Sequence, residues 1–248
     1  MTDGLAGVVL AAGMGTRLRP LTLLRPKPLC PVADVPLVDL AIQRLVAVAP
    51  DIAVNVHHGR AAMEEHLSGR VHISLEEEMP LGTAGALGHM RGWLDGRDAL
   101  VVNADAWCPG GLQPLIDGWD RATVRLFLVG ASRLAPTSKI AGALMPWAAV
   151  ASLQEEPAGL YERVWARAQA EGWLDVVRYD GPFVDCGTPS QYLEANLLAN
   201  GGCSVVGDGA VVAGKLDRCV VWGSGVVRPG ESLVCAIRPT ELITVLVR

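Results

Sequence analysis

No apolar run in this 248-residue sequence approaches the roughly 18–20 residues a membrane helix needs, so no membrane-spanning segment is expected. The first residues, Met1-Thr2-Asp3-Gly4, carry neither the basic start nor the long apolar stretch of a signal peptide. Cysteine is sparse and scattered: the six, at 30, 108, 186, 203, 219 and 235, form no C-x-x-C pair, and neither a disulfide framework nor a structural zinc site is expected. Positive charge is in deficit, with 21 Lys+Arg against 26 Asp+Glu and a net charge of −5, which argues against a nucleic-acid partner. These absences predict a cytoplasmic chain with reduced thiols. They leave room for a local basic site that holds a small phosphate.

Two familiar phosphate loops are also missing. The sequence contains no G-x-x-x-x-G-K-[ST], and the dinucleotide fingerprint fails because Leu18 stands where its third glycine belongs.

What is present is an ordinary folded composition, half apolar and 19% charged, long enough for one large domain with or without a small appendage. Apolar strands are expected over 8–12, 52–56, 71–75, 99–103, 124–129 and 174–179. Helical spacing fills 36–48, 60–67, 83–94, 112–119, 157–172 and 190–200, the last with Ser190 as a candidate N-cap. Strands alternating with helices over the first 105 residues imply an α/β fold, a parallel sheet with helices on both faces. Beyond Gly201 the composition shifts to short valine-rich pieces between glycines, about fifteen residues apart, which suggests one or two turns of a short β-helix or a small β appendage. The expected domains are therefore 1–200 and a β appendage at 201–248.

In a parallel sheet of this kind ligands sit beyond the carboxyl ends of the strands, and Gly13, Glu77 and Asp105 each lie just past an expected strand end. The first strand empties into Gly13-Met14-Gly15-Thr16-Arg17, followed by Arg25-Pro26-Lys27-Pro28. Glycines let backbone N–H groups approach a phosphate chain, and Arg17 and Lys27 supply fixed charge. A tight turn with solvated surface charges is the plainer alternative.

With these residues in view, L-A-A-G-M-G-T-R-L-R-P-L-T (10–22) and R-P-K-P-L-C-P-V (25–32) resemble the signature of the sugar-1-phosphate nucleotidylyltransferases. The likeness continues through E-E-M-P-L-G-T-A-G-A-L (77–87), V-V-N-A-D (101–105) and F-V-D-C-G-T-P-S-Q-Y-L-E-A-N (183–196), in order over about 200 residues. The mannose-1-phosphate guanylyltransferase and N-acetylmuramate-1-phosphate uridylyltransferase branches look most similar. The resemblance implies a Rossmann-like, mainly parallel sheet carrying a left-handed β-helix-like appendage. It also implies an Mg2+-dependent enzyme that joins a nucleoside triphosphate to a sugar 1-phosphate, giving an NDP-sugar and pyrophosphate.

Carried over by motif, Leu10, Ala11, Ala12, Gly13, Gly15, Thr16, Arg17, Glu77, Pro80, Gly82, Thr83 and Asp105 would bind the nucleotide. Gly13, Gly15 and Thr16 wrap the triphosphate, Arg17 neutralises the departing pyrophosphate, and Lys27 bridges the sugar phosphate and the α-phosphate. Asp105 and Asp185 match the family's metal-binding aspartates; magnesium favours carboxylate oxygens completed by phosphate and water. Glu77 matches the position that meets the base, where a carboxylate would suit the adjacent N1–H and N2–H donors of guanine. GTP and mannose 1-phosphate are thus slightly favoured, with UTP or dTTP and another hexose 1-phosphate as alternatives.

The pattern departs in one place. Between Val129 and Gly142 relatives carry a longer stretch with a glutamate-lysine pair for the acceptor; here Lys139 is its one lysine, and Gly142 is the remaining match to the sugar-phosphate side. A non-catalytic nucleotide or nucleotide-sugar binding subunit on the same fold is the competing expectation. His57-His58, Cys186 and the tryptophans are expected to be structural, and the β appendage is a candidate surface for homo-oligomer formation.

Overall fold

The computed structural model describes residues 4–247. Met1, Thr2 and Asp3, considered above for a targeting signal, lie outside the described residues. The chain groups into two compact units, which it enters and leaves several times. The first holds the residues up to Gly13 with Leu40–Ala104 and Cys108–Phe183; the second holds Met14–Asp39, Asp105–Trp107 and the chain from Val184 onward.

The first unit is built on a seven-stranded sheet. Its strands are β1 (Leu5–Leu10), β2 (Ile52–Val56), β3 (His72–Leu75), β4 (Asp98–Asn103), β5 (Val124–Val129), β6 (Ile140–Met145) and β7 (Leu174–Tyr179). Their spatial order is β7-β5-β6-β4-β1-β2-β3. β1 pairs in parallel with β2 and β4, β2 with β3, and β5 with β7, whereas β6 runs antiparallel to both neighbours. Central strands such as β1 and β2 are apolar at nearly every position because helices cover both faces. β6 was not among the expected strands. Its sequence, IAGALM, is poor in β-branched residues, and burial between β4 and β5 decides what propensity does not.

Helices α1 (Leu37–Val46), α2 (Arg60–Leu67) and α3 (Gly82–His89) follow the expected spacing, although the pattern read as 83–94 divides at Met90 into α3 and a further turn at Arg91–Leu94. On α3 the glycines at 82, 85 and 88 are three apart and form one face. A Cβ on Gly82, Gly85 or Gly88 would stand 2.5, 2.2 or 2.3 Å from the carbonyl oxygen of Ala158, Glu156 or Gln154. The segment 154–158 thus lies directly on the helix. It is tied there by Ala84 N–H to Ala158 O at 2.9 Å and Ala158 N–H to Leu81 O at 3.0 Å. Leu87, Met90 and Leu94 pack below with Leu126, Leu128 and Met145 in the main core.

The second unit combines a short hairpin, a long-range antiparallel ladder, a helix and the appendage. Pro31–Val32 pairs with Val35–Pro36, and Ala106–Trp107 pairs antiparallel with Val184–Asp185. Helix α4 (Pro189–Ala199) is capped by Thr188, whose hydroxyl accepts from Gln191 N–H at 3.3 Å; Ser190 lies inside the helix, since Pro189 occupies its first position. The valine-rich pieces form parallel rungs: Val205 opposite Val220, Val211 opposite Val226, and Lys215 opposite Ser232. A third rung, Ala236–Arg238, pairs with Val220–Val221 and is closed by Val245–Leu246 running antiparallel. This is the expected short β-helix.

Candidate active site

In the second unit Lys27 opens a short 3-10 turn, Lys27–Leu29, flanked by Pro26 and Pro28, and is buried. Its Nζ lies 3.1 Å from Asp105 Oδ2 and 3.8 Å from Asp185 Oδ1. The two aspartates are distant in sequence but adjacent in space. Asp185 faces Ala106 across the antiparallel ladder, and Cys186 N–H donates to Asp105 O at 3.0 Å. A buried ammonium is tolerable because charges pair it, Asp105 at the shorter distance and Asp185 at the longer.

The open oxygen of that carboxylate pair is where a cation fits. Asp185 Oδ1 is buried and accepts no hydrogen bond. Two hard carboxylate donors, one of them unsatisfied, match what magnesium takes from protein when phosphate oxygens and water supply the rest. Among the described residues no three or more His, Cys, Asp or Glu side chains gather as a complete cage, so any metal here would take its remaining oxygens from water or substrate.

Arg17 reaches the same place. A Cβ on Gly187 would stand 3.1 Å from Asp185 Oδ1, 3.2 Å from Arg17 Nη2 and 3.3 Å from Gln191 Oε1, so the glycine leaves space in which these groups converge. Gly15, at φ 61°, lets the loop lie close over Lys27, and Thr22 Oγ1 donates to Gly15 O at 3.0 Å. Thr16 and Arg17 are exposed, with Leu18 fully buried as the anchor of the turn.

In the first unit, Leu10, Ala11, Ala12 and Gly13 leave the carboxyl end of β1. Ala104 N–H donates to Leu10 O at 3.0 Å, and Ala11 N–H donates to Asn55 Oδ1 at 2.6 Å. Among the described residues no atom beyond its chain neighbours lies within 4 Å of where a Gly13 Cβ would stand. Packing therefore gives no reason for glycine there.

Sequence reasoning missed a buried polar brace. Asn55 Nδ2 donates to Glu76 Oε1 at 2.7 Å, and Leu81 N–H donates to Glu76 Oε2 at 2.7 Å. His57 Nδ1 bonds Glu76 O at 2.7 Å. This brace fixes the ends of β1 and β2 and the entry to α3. Its one sequence signal is the lone asparagine in the apolar run of β2. Glu77, beside it, is exposed and lies 3.8 Å from Arg60 Nη1. Pro80 and Gly82 are exposed too, while Thr83 Oγ1 accepts from Leu160 N–H at 2.7 Å. Gly142 is buried within β6; a Cβ there would meet Leu112 Cδ2 at 3.0 Å and Leu115 Cδ2 at 3.3 Å, a packing reason for glycine that needs no ligand. Burial pushes the Cys186 thiol up to about 12, so it is no ready nucleophile.

The nucleotidyl transferase family profile matches residues 6–137, more than half of the sequence. The chain belongs to this family. It is 35% identical over 136 residues to the mannose-1-phosphate guanylyltransferase of Mycobacterium tuberculosis, a match covering 52% of this chain and 38% of the relative. It is 41% identical over 108 residues to the N-acetylmuramate alpha-1-phosphate uridylyltransferase of Caulobacter vibrioides, covering 40% and 45% respectively. The chain thus matches less than half the length of either relative. A solved structure described as mannose-1-phosphate geranyltransferase from Thermus thermophilus superposes with a TM-score of 0.71 at 19% identity, covering 98% of this chain and 95% of that one, and it bears out the fold. Among the described residues no helix is long and apolar enough to cross a membrane.

Proposed function

We propose that this family member is a sugar-1-phosphate nucleotidylyltransferase. The observation that carries the proposal is the buried Lys27 ammonium standing between Asp105 and the unsatisfied oxygen of Asp185. A sugar-phosphate oxygen attacks the α-phosphorus of the triphosphate in line; a new P–O bond forms, the bond to the β-phosphate oxygen breaks, and pyrophosphate leaves. A phosphate monoester is already an anionic nucleophile near neutral pH, so no general base is required. The work of the site is positioning and charge neutralisation.

In this reaction Lys27 spans the acceptor phosphate and the α-phosphate, and Arg17 meets the departing pyrophosphate. Gly13, Gly15 and Thr16 hold the triphosphate. Asp105 and Asp185 would hold magnesium, which when bound supplies further neutralisation of the crowded phosphates. Leu10, Ala11, Ala12, Pro80, Gly82 and Thr83 border the base and ribose, and Glu77, exposed and acceptor-only, favours guanine over uracil or thymine. Mannose 1-phosphate is the favoured acceptor, with Gly142 assigned to the sugar-phosphate side. The guanylyltransferase and uridylyltransferase relatives support guanine and uracil as candidates for the base.

One observation favours a second reading, binding without turnover. The connection from β5 to β6 is short, and its lysine, Lys139, lies 5.9 Å over the Phe183 ring. Incubation with Mg2+, each NTP and a panel of sugar 1-phosphates, following pyrophosphate, separates the two. Release with one pair supports the enzyme; nucleotide binding with no release from any pair sinks it. The free cysteines and the NTP substrate suit a cytoplasmic setting. Exposed Val206, Val211 and Val234 support self-association through the β-helix, which sedimentation would detect.

A further inference from the structure

The segment from Arg25 to Ala33 carries Lys27 but has little backbone ladder to hold it. It comprises one 3-10 turn and a two-residue strand, and three of its residues, Pro26, Pro28 and Pro31, have no N–H to donate. Side chains from α4 and the β-helix hold it instead. Tyr192 donates its hydroxyl hydrogen to Pro31 O, and the same hydroxyl accepts from Trp222 Nε1 at 2.9 Å. One turn further along α4, Asn196 Oδ1 accepts from Ala33 N–H at 3.1 Å. The Arg25 guanidinium lies 4.4 Å over the Trp222 ring. Tyr192, Asn196 and Trp222 are all buried.

The direction of this relay is forced. An indole N–H can only donate and a proline carbonyl can only accept, so the phenol between them must accept from one and donate to the other. A fully satisfied buried network of this kind has one low-energy arrangement. From Pro31 the constraint passes to Lys27 through a closed turn, with Leu29 N–H to Pro26 O at 2.9 Å and Cys30 N–H to Lys27 O at 3.0 Å. A displacement at Pro31 therefore moves the ammonium relative to Asp105 and Asp185. Phosphoryl chemistry loses rate steeply when a group shifts by about 1 Å.

We propose that Tyr192 and Trp222 are positioning residues for Lys27, so that the first turns of the β-helix set where the site's ammonium stands. The consequence for turnover rests on the function proposed above; the consequence for Lys27 itself rests on the geometry alone. The test uses the full chain as wild type, Tyr192→Phe, Trp222→Phe and, as a control, Leu94→Ala, which empties a fully buried position in the core of the sheet unit. The rate of Lys27 modification by an amine-reactive ester is read by peptide mass spectrometry, alongside NTP affinity, kcat and the sugar-phosphate KM.

Tyr192→Phe should modify Lys27 at least fivefold faster, lower kcat tenfold or more and raise the sugar-phosphate KM, with NTP affinity changed less than threefold. Trp222→Phe should move the same way by less, since the Tyr192–Pro31 bond survives and a ring remains under Arg25. Leu94→Ala should lower the melting temperature yet leave the Lys27 rate at wild type. An unchanged Lys27 rate in both relay variants, or an equal acceleration in Leu94→Ala, overturns the proposal. Should Tyr192→Phe not fold, Trp222→Phe decides it alone. Absence of turnover in the wild type would remove the proposed reaction and leave the Lys27 rates to judge the relay.

Discussion

Glu76 and Glu77 are neighbouring carboxylates in opposite situations. Glu76 spends both oxygens on Asn55 and the Leu81 N–H inside the protein, whereas Glu77 is exposed. Glu76→Ala should cost about 2–4 kcal/mol, because it strands a buried amide and a backbone N–H, and denaturant unfolding would measure it. Glu77→Gln should leave that stability unchanged and shift the preference among NTPs in the pyrophosphate assay; an unchanged preference would take Glu77 away from the base. The sequence shows a run of three equivalent acids. What separates them is Asn55, brought beside Glu76 by the β2 and β3 pairing, a neighbour no local pattern reveals.

Asp105 is the other residue whose surroundings the structure makes specific. Half of its side chain is exposed and its partner is Lys27, so Asp105→Asn keeps an acceptor for the ammonium and removes one charge. Stability should fall by no more than about 1 kcal/mol. Turnover should fall by two orders of magnitude or more if Asp105 holds the metal; near-normal turnover at saturating Mg2+ would take it out of the mechanism. The pairing of Asp105 with Asp185 was legible from motif order. The unsatisfied oxygen on Asp185 was not, since it depends on how the Ala106 and Val184 strands meet.

At the scale of elements, glycines that look alike in sequence divide into two kinds. Gly85 is demanded by packing: a Cβ would sit 2.2 Å from Glu156 O, so Gly85→Ala should cost about 1–3 kcal/mol as 154–158 is pushed off α3. Gly13 is not demanded by packing. Gly13→Ala should melt with the wild type and yet bind NTP at least tenfold more weakly, by calorimetric titration; unimpaired binding would show that the loop keeps its distance from phosphate. The run G-T-A-G-A-L-G invites a ligand interpretation throughout, but its three-residue glycine period is that of one helix face. The parallel strands were legible because burial on both faces makes them unbroken apolar runs. β6 was not, because antiparallel insertion between two strands leaves no mark in a run of alanine, glycine and leucine.

At the scale of the molecule, the shift in composition at Gly201 and the compact grouping of the chain divide it differently, because the β-helix packs with 14–39 and 184–200 in one unit. That unit carries a distinctive alkaline liability. Burial pushes the Cys30 thiol from an ordinary 9.0 up to about 12, against the opposing pull of the Arg25 and Lys27 charges, and holds the Tyr192 phenol well above 10. Both groups are neutral in the folded chain and ionise more readily in the unfolded one. The Cys30 contribution to stability is complete below the unfolded thiol value near 9 and is lost as pH climbs toward 12, and the Tyr192 contribution is lost above the unfolded phenol value near 10, at up to about 1.4 kcal/mol per pH unit for each group titrating only in the unfolded state. Unfolding followed from pH 7 to 11 should therefore show a plateau and then a fall beginning near 9. Cys30→Ala should make the first part of that fall shallower, Cys186 keeping its own share, while the difference in absorbance near 295 nm between wild type and Tyr192→Phe should report Tyr192 ionising only together with unfolding. A fall that starts well below pH 9, or a phenolate signal from Tyr192 in the folded chain, would mean that the segment carrying Lys27 is not packed as tightly as its hydrogen bonds imply.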